Sequence, residues 1–350
     1  IPEDAGPGFE LTVKASSRES INEHTATTVR SLPVVVLPSG VTLPSAGDGD
    51  TIFGGDSDDI FVGGIGDDLL IGGGGTDALS GGGGDDVLIG DSQDKFAGGS
   101  GIDTAILTDD SDIELNIDSV SIERFYSGGG NDKIEGGEKD EVISGGRGND
   151  TLKGGSGDDT YVFNRGDGQD VIADYFGTSK LISEWKVFWY SVSDGEGGWD
   201  RKRVRQQINK WVDKSADAGN DTLSFGEGIT PGDLSLRLDE GALQITIRGD
   251  DEKEGRDAGS ADRVRILNWG DSSDRIEKFL FQDGLALDVS NLTGKILEAG
   301  ENGISLVAAD GNDWLAGGSG ADALDGGSGN DIIVGAGGND QLTGGAGDDY

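Results

Sequence analysis

The chain contains no cysteine, so no disulfide closes its fold and no thiol carries chemistry. Histidine occurs once, as His24 in a polar N-terminal stretch, where it reads as a solvated surface residue. A single histidine excludes an HExxH zinc site and argues against a Ser–His–Asp triad. A G-x-S-x-G elbow is missing as well: GGSG runs such as those that begin at Gly98, Gly154 and Gly317 continue as Ile, Asp and Ala. No apolar run approaches the roughly 18 residues that a membrane span needs. No signal peptide opens the sequence. The chain starts at Ile1 without Met and stops at Tyr350 part-way through a repeat, so it reads as an excerpt of something longer, in which missing targeting signals say little.

Positive charge is scarce. The 27 basic residues stand against 67 acidic ones, a net charge of −40. Such a chain repels itself and stays expanded until cations neutralise it. Nucleic acid is a poor partner for it, and a divalent cation is a good one. Apolar residues are also few, 33% of the chain, whereas 65 of the 350 residues are glycine. The length allows two or three domains, but this composition cannot fill one ordinary core. A repeat architecture manages with less, because each unit buries its apolar side on its neighbours.

What the sequence does have is a nine-residue repeat, GG-x-G-x-D-x-(apolar)-x. Gly63–Ile71 reads GGIGDDLLI, Gly145–Lys153 reads GGRGNDTLK and Gly326–Val334 reads GGSGNDIIV. The repeat predicts an all-β fold, a parallel β-roll with a tight glycine turn followed by a three-residue strand. The apolar position faces inward and holds Ile52, Phe61, Leu70, Leu79 and Leu88 early in the chain, then Leu315, Leu324, Ile333 and Leu342 near its end. Two repeats make one coil, so turns eighteen residues apart stack: Asp50 on Asp68, Asp59 on Asp77, Asp68 on Asp86, and likewise Asp313 on Asp331, Asp322 on Asp340 and Asp331 on Asp349.

Stacked carboxylates repel unless a cation lies between them. Calcium takes six to eight oxygens from carboxylates and carbonyls, and a glycine turn exposes many carbonyls. Zinc prefers His or Cys, and magnesium keeps water in a rigid octahedron, so calcium is the expected cofactor. A flexible Gly-Asp linker would not need an apolar residue two places after each Asp. An ice-binding roll would need an outward ladder of Thr, and position three of the clear repeats holds Asp56, Ile65, Gly74, Gly83, Arg147, Ser156, Ser319, Ser328 and Gly337. The GxG turns lead into short strands and not into the long helix of a phosphate-binding loop. An acid pair for glycoside chemistry has no pattern beyond two carboxylates, and the acids here are already accounted for by the turns. The chain is therefore expected not to be an enzyme.

Seven segments follow. Residues 1–44 read as the end of a β-sandwich-like module, with Phe9, Leu11 and Val13 alternating and an apolar run at Leu32–Leu37. Residues 45–107 form a first roll block, with Asp50, Asp59, Asp68, Asp77, Asp86 and Asp103 as expected ligands. One repeat, Gly90–Ala97, puts Lys95 at the sixth position, and Asp103 stands at the block's frayed end, where its loss should matter less than that of Asp68. A β linker, 108–126, carries the alternating Ile113, Leu115 and Ile117. The second block, 127–174, supplies Asp132, Asp150, Asp159 and Asp170, with Glu141 in the sixth position of one repeat.

Residues 175–216 are the outlier: four of the six Trp, and eight basic against five acidic residues. Val204, Ile208, Trp211 and Val212 at helical spacing after Asp200 predict a small helical insertion; Leu181, Trp185, Phe188, Trp189 and Val192 fit a helical face too, although the run Val187–Tyr190 favours a strand. This segment is the place to expect a glycan, peptide or cell-surface ligand, since Trp and Arg are favoured at binding hot spots. The plainer alternative is that its Trp residues form a local core. Residues 217–290 read as antiparallel β, with one more turn at Asp221 and alternating leucines around a turn at Asp239–Gly241. The third block, 291–350, supplies Asp313, Asp322, Asp331, Asp340 and Asp349.

These blocks resemble the RTX (repeats-in-toxin, haemolysin-type calcium-binding) family. The segments Asp159–Asp174 (DTYVFNRGDGQDVIAD) and 221–287 resemble the haemolysin-type calcium-binding-related segment that often accompanies the repeats, with the Trp-rich region as an insertion into a hairpin loop. The Lys95 and Glu141 repeats depart from the family pattern. The resemblance implies calcium-dependent folding outside a bacterial cell after type I export, with the export signal beyond Tyr350. The N-terminal strands resemble modules of large RTX adhesins. The alternative is the export and folding region of an RTX toxin or hydrolase whose catalytic domain lies outside this chain.

Overall fold

A computed structural model describes residues 49–174, 180–193, 199–212, 219–248, 262–270, 275–292, 294–299 and 302–350. His24 and the strands expected within 1–44 lie outside the described residues. The described chain is all-β, and its only helical turns are Asp118–Val120 and Pro231–Asp233.

Ten strands form one long sheet, in the order Thr51–Phe53, Leu69–Ile71, Val87–Gly90, Thr104–Leu107, Arg124–Tyr126, Val142–Ser144, Thr160–Phe163, Asp221–Phe225, Ile276–Phe281 and Ala286–Asp288. The first nine pair in parallel, and the tenth closes the edge antiparallel. The register stacks like on like. Leu70, Leu88, Ala105, Phe125, Ile143, Tyr161, Leu223 and Phe279 form one inward rib. Every member is buried, and each large side chain so buried contributes about 1.5–3 kcal/mol. Small strands suffice because the rib is shared along the roll, not built within any one coil.

The opposite wall is split. Ile60–Ile65, Ala78–Gly83 and Lys95–Ser100 form a three-stranded parallel sheet. A seven-stranded sheet then runs Leu234–Asp239, Ala242–Ile247, Arg263–Ile266, Gln169–Ile172, Thr151–Lys153, Lys133–Glu135 and Glu114–Asn116. Its far end is the antiparallel hairpin expected around Asp239–Gly241; Glu240 and Gly241 take positive φ of 50° and 83°, as a tight turn of that hand demands. Phe225 stacks on Phe281 and meets Phe279 edge-on, which fills the end of the roll.

The last block is a separate roll with two three-stranded parallel walls, Ile296–Glu298, Trp314–Ala316 and Ile332–Val334 on one side and Ser305–Val307, Ala323–Ser328 and Gln341–Ala346 on the other. Leu315, Leu324 and Ile333 fill its interior, while Trp314, Ala316 and Ile332 face the core of the main body. Glu298 ties the two together: it accepts hydrogen bonds from the Leu236 backbone N–H and the Ser235 hydroxyl and pairs with Arg248.

One expectation is overturned. The insertion is not helical: Lys180–Ser193 and Trp199–Val212 pair as antiparallel strands without a register break, from Lys180 opposite Val212 to Ser193 opposite Trp199. Asp200, expected as a helix cap, stands opposite Val192 within the ladder. Aromatic and β-branched residues dominate the apolar positions, and such side chains favour the pleated surface over a helix.

Candidate calcium centre

Most sixth-position acids stand immediately before a strand, while Asp170 and Asp221 lie at the start of theirs. The parallel register therefore stacks these acids into ladders. Along the edge of the long sheet, the backbone N–H of Asp68 donates to Asp86 Oδ1 at 2.8 Å, that of Asp86 to Asp103 Oδ1 at 2.9 Å, and that of Asp103 to Glu123 Oε2 at 2.8 Å. The same ladder starts at Asp50, which donates to Asp68, and resumes with Glu141 to Asp159, Asp159 to Asp221 and Asp221 to Glu277. The other edge carries Asp59 to Asp77 to Asp94, then Ile113 to Asp132 to Asp150 to Asp170. The third block has Asp313 to Asp331 to Asp349 and Asp322 to Asp340.

One oxygen of each such carboxylate thus accepts from the backbone N–H of the preceding coil. The second does not. Oδ2 of Asp68, Asp77, Asp86, Asp103, Asp150, Asp159, Asp221, Asp313 and Asp331, and Oε2 of Glu141, are buried and have no hydrogen-bond partner. Except at Asp221 and Asp313, these oxygens point back over the first glycine of their own turn. A Cβ added at Gly81 would stand 2.1 Å from Asp86 Oδ2, and one at Gly63 would stand 2.0 Å from Asp68 Oδ2. The second and fourth glycines, such as Gly64 and Gly66 with φ of 122° and 107°, turn the backbone as other residues rarely do. The result is a cradle with a carboxylate oxygen on one side and peptide groups around it.

Among the described residues, none of these sixth-position acids forms an ion pair; the basic side chains pair elsewhere, Lys133 with Glu114 and Glu135, Arg165 with Asp233, Arg237 with Asp239 and Arg248 with Glu298. Glu123 differs in this respect, for Lys139 contacts its carboxylate. Burial accordingly pushes Asp103 up to about 6, Asp150 to about 7 and Asp170 to about 8, and neighbouring carboxylates add to the rise. Burial also raises Asp159, Asp221 and Glu141. Buried, unpaired anions of this kind are costly unless a cation compensates them. All the donors are hard oxygens at closely spaced positions, which fits calcium and not zinc.

Among the expected residues, Asp68, Asp77, Asp86, Asp103, Asp132, Asp150, Asp159, Asp170, Asp221, Asp313, Asp322 and Asp331 are buried in the ladders. Asp50, Asp59, Asp340 and Asp349 stand in the outermost coils and are more open. Two readings change. Lys95 is not at the sixth position: it lies in the strand opposite Ala78, and Asp94 takes the turn position, with its Oδ2 set 2.3 Å from a Cβ built on Gly90. The turn is one residue short, so counting nine misses it. Asp103 is not frayed: it is buried and donates to Glu123 in the coil that follows.

Sequence reasoning also missed Glu123, Asp174 and Glu277, whose signal is an acid set against a strand outside the glycine consensus. It missed a reverse tie as well. Acids and amides at the fifth position accept from the following coil, as in Asp85 N–H to Asp67 Oδ1 at 2.9 Å and Asn330 N–H to Asn312 Oδ1 at 2.8 Å.

A family model described as the RTX calcium-binding nonapeptide repeat (4 copies) matches residues 46–70, 71–105, 122–138, 135–172, 305–333 and 325–350. A second, the haemolysin-type calcium binding protein related domain, matches residues 243–291. No curated protein matches the chain. Repeats of this family bind calcium, and a repeat roll of this type is a structural unit. With matching models on both rolls and on the antiparallel segment between them, the chain belongs to the RTX haemolysin-type calcium-binding repeat proteins.

Proposed function

We propose that the chain is the calcium-folded RTX region of a secreted, cell-surface adhesin, and that the sixth-position acids named above are its ligands. The observation that carries the calcium reading is the row of buried carboxylate oxygens without partners. A cation held at these turns would be bound by these carboxylate oxygens and by glycine carbonyls around them. Without it, a chain of net charge −40 stays open, a state suited to export; with it, ligation becomes folding free energy. Extracellular calcium modules bind at roughly 0.1–1 mM, which suits folding after release from the cell.

The non-catalytic reading follows from the use of the acids: the buried carboxylates already serve turn after turn as one repeated structure. The adhesin reading is supported by the sandwich-like pattern of residues 1–44. Tandem β-sandwich repeats upstream would sustain it, and a pore-forming or hydrolase domain there would replace it with an export and folding role. The Trp-rich segment 175–216 is proposed as the binding surface for a glycan or peptide. A calcium titration followed by circular dichroism and calorimetry tests the core of this reading. Calcium-induced β-structure with several bound equivalents is expected, and a chain already β-rich without calcium and unchanged by it would overturn the reading.

A further inference from the structure

The insertion leaves the roll after a strand of the seven-stranded sheet, Gln169–Ile172, and rejoins it at a strand of the long sheet, Asp221–Phe225. Asp159 ends the turn before Thr160–Phe163, Asp174 follows the strand Gln169–Ile172, and Asp221 opens Asp221–Phe225. One carboxylate oxygen from each of these three acids lies within 4.8 Å of the others, and all three residues are buried. Oxygens about 2.3–2.6 Å from a calcium stand at most about 5 Å apart, so the spacing suits a common ion. Asp174 belongs to no glycine turn. Its Oδ1 accepts from the Gly155 N–H at 2.9 Å, while its Oδ2 is buried at 1% residue exposure with no partner. Among the described residues no basic side chain pairs with any of the three. Tyr161 lies beside them, its hydroxyl held by the Gly154 N–H at 2.5 Å.

We propose that Asp159, Asp174 and Asp221 share one divalent cation, calcium by its oxygen-only donors, which fastens together the two points where the insertion leaves and rejoins the roll. The proposal rests on the calcium reading above and extends it to a ligand outside the repeat. Residues 175–220 lie between Asp174 and Asp221, so an ion held by both closes a long loop at its base. The paired strands Lys180–Ser193 and Trp199–Val212 are then presented on a fixed footing only when calcium is present. Two neighbouring coils are joined by the same ion, because Thr160–Phe163 and Asp221–Phe225 are adjacent in the sheet.

Asp174→Asn keeps the acceptor for Gly155 and removes the charge, whereas Asp174→Glu keeps a carboxylate. Calorimetry with calcium on the full chain should find one equivalent fewer for D174N than for the wild type, and the wild-type number for D174E. Amide exchange in saturating calcium should quicken at Thr222–Phe225 in D174N and stay unchanged at Val87–Gly90. Wild-type stoichiometry in D174N would overturn the proposal, as would identical behaviour of the two variants, folded or not. A wild-type chain that binds no calcium would instead sink the reading on which the proposal rests.

Discussion

The turns of the roll and the antiparallel segment that closes it treat buried charge in opposite ways. In the segment, the buried Arg275 is satisfied: it donates to the Trp269 and Ser290 carbonyls and lies 5.2 Å from the Trp269 ring centroid. In the roll, carboxylate after carboxylate is buried with one oxygen unpartnered. The segment meets its buried Arg275 with protein carbonyls and an aromatic ring. On the proposed reading, cations complete the roll.

Chelation of calcium at neutral pH should have the largest effect, with loss of most β-signal in circular dichroism and expansion in small-angle scattering. Substitution within the shared rib comes next. Leu88→Ala should cost about 2–5 kcal/mol in calcium-saturated denaturation, because Leu88 is wholly buried between Leu70 and Ala105. Asp103→Ala should cost about 1–3 kcal/mol and raise the calcium midpoint, whereas Arg275→Ala should cost a similar amount and leave the calcium stoichiometry as it is. That pair separates charge that needs an ion from charge that does not. The smallest effect is expected for Asp349→Ala, about 0.5 kcal/mol or less, since Asp349 is exposed in the last coil.

The same contrast sets a pH dependence. Asp150 and Asp170 rise from 3.8 to about 7 and about 8 in the metal-free fold. A raised carboxylate favours the protonated native state, so its contribution is fully present below pH 3.8 and is lost as pH climbs to about 8. The metal-free chain should therefore gain β-structure on acidification. Calcium must displace these protons, so its apparent affinity should rise across pH 6–8, read as proton release in calorimetry in two buffers.

The roll was legible because its register repeats: Asp68, Asp86 and Asp331 fall where counting nine puts them, and Leu70 and Leu88 are buried as the pattern requires. The departures were legible only in space. Asp94 hides in a turn one residue short, and Glu123 reaches its place from a spacing of 20 with a longer side chain. Asp174 carries no glycine at all, and only folding brings it to Asp221. The insertion misled for another reason: short runs of Trp, Val and Ile fit helical and strand spacing alike, and pairing along fourteen residues decided the matter.

Amide exchange compared with and without calcium tests the central claim most directly. The account predicts that Val87–Gly90 and Trp314–Ala316 are protected in calcium and exchange freely in chelator at neutral pH. Equal protection in both conditions would show that the carboxylate ladders fold without a cation and would contradict it.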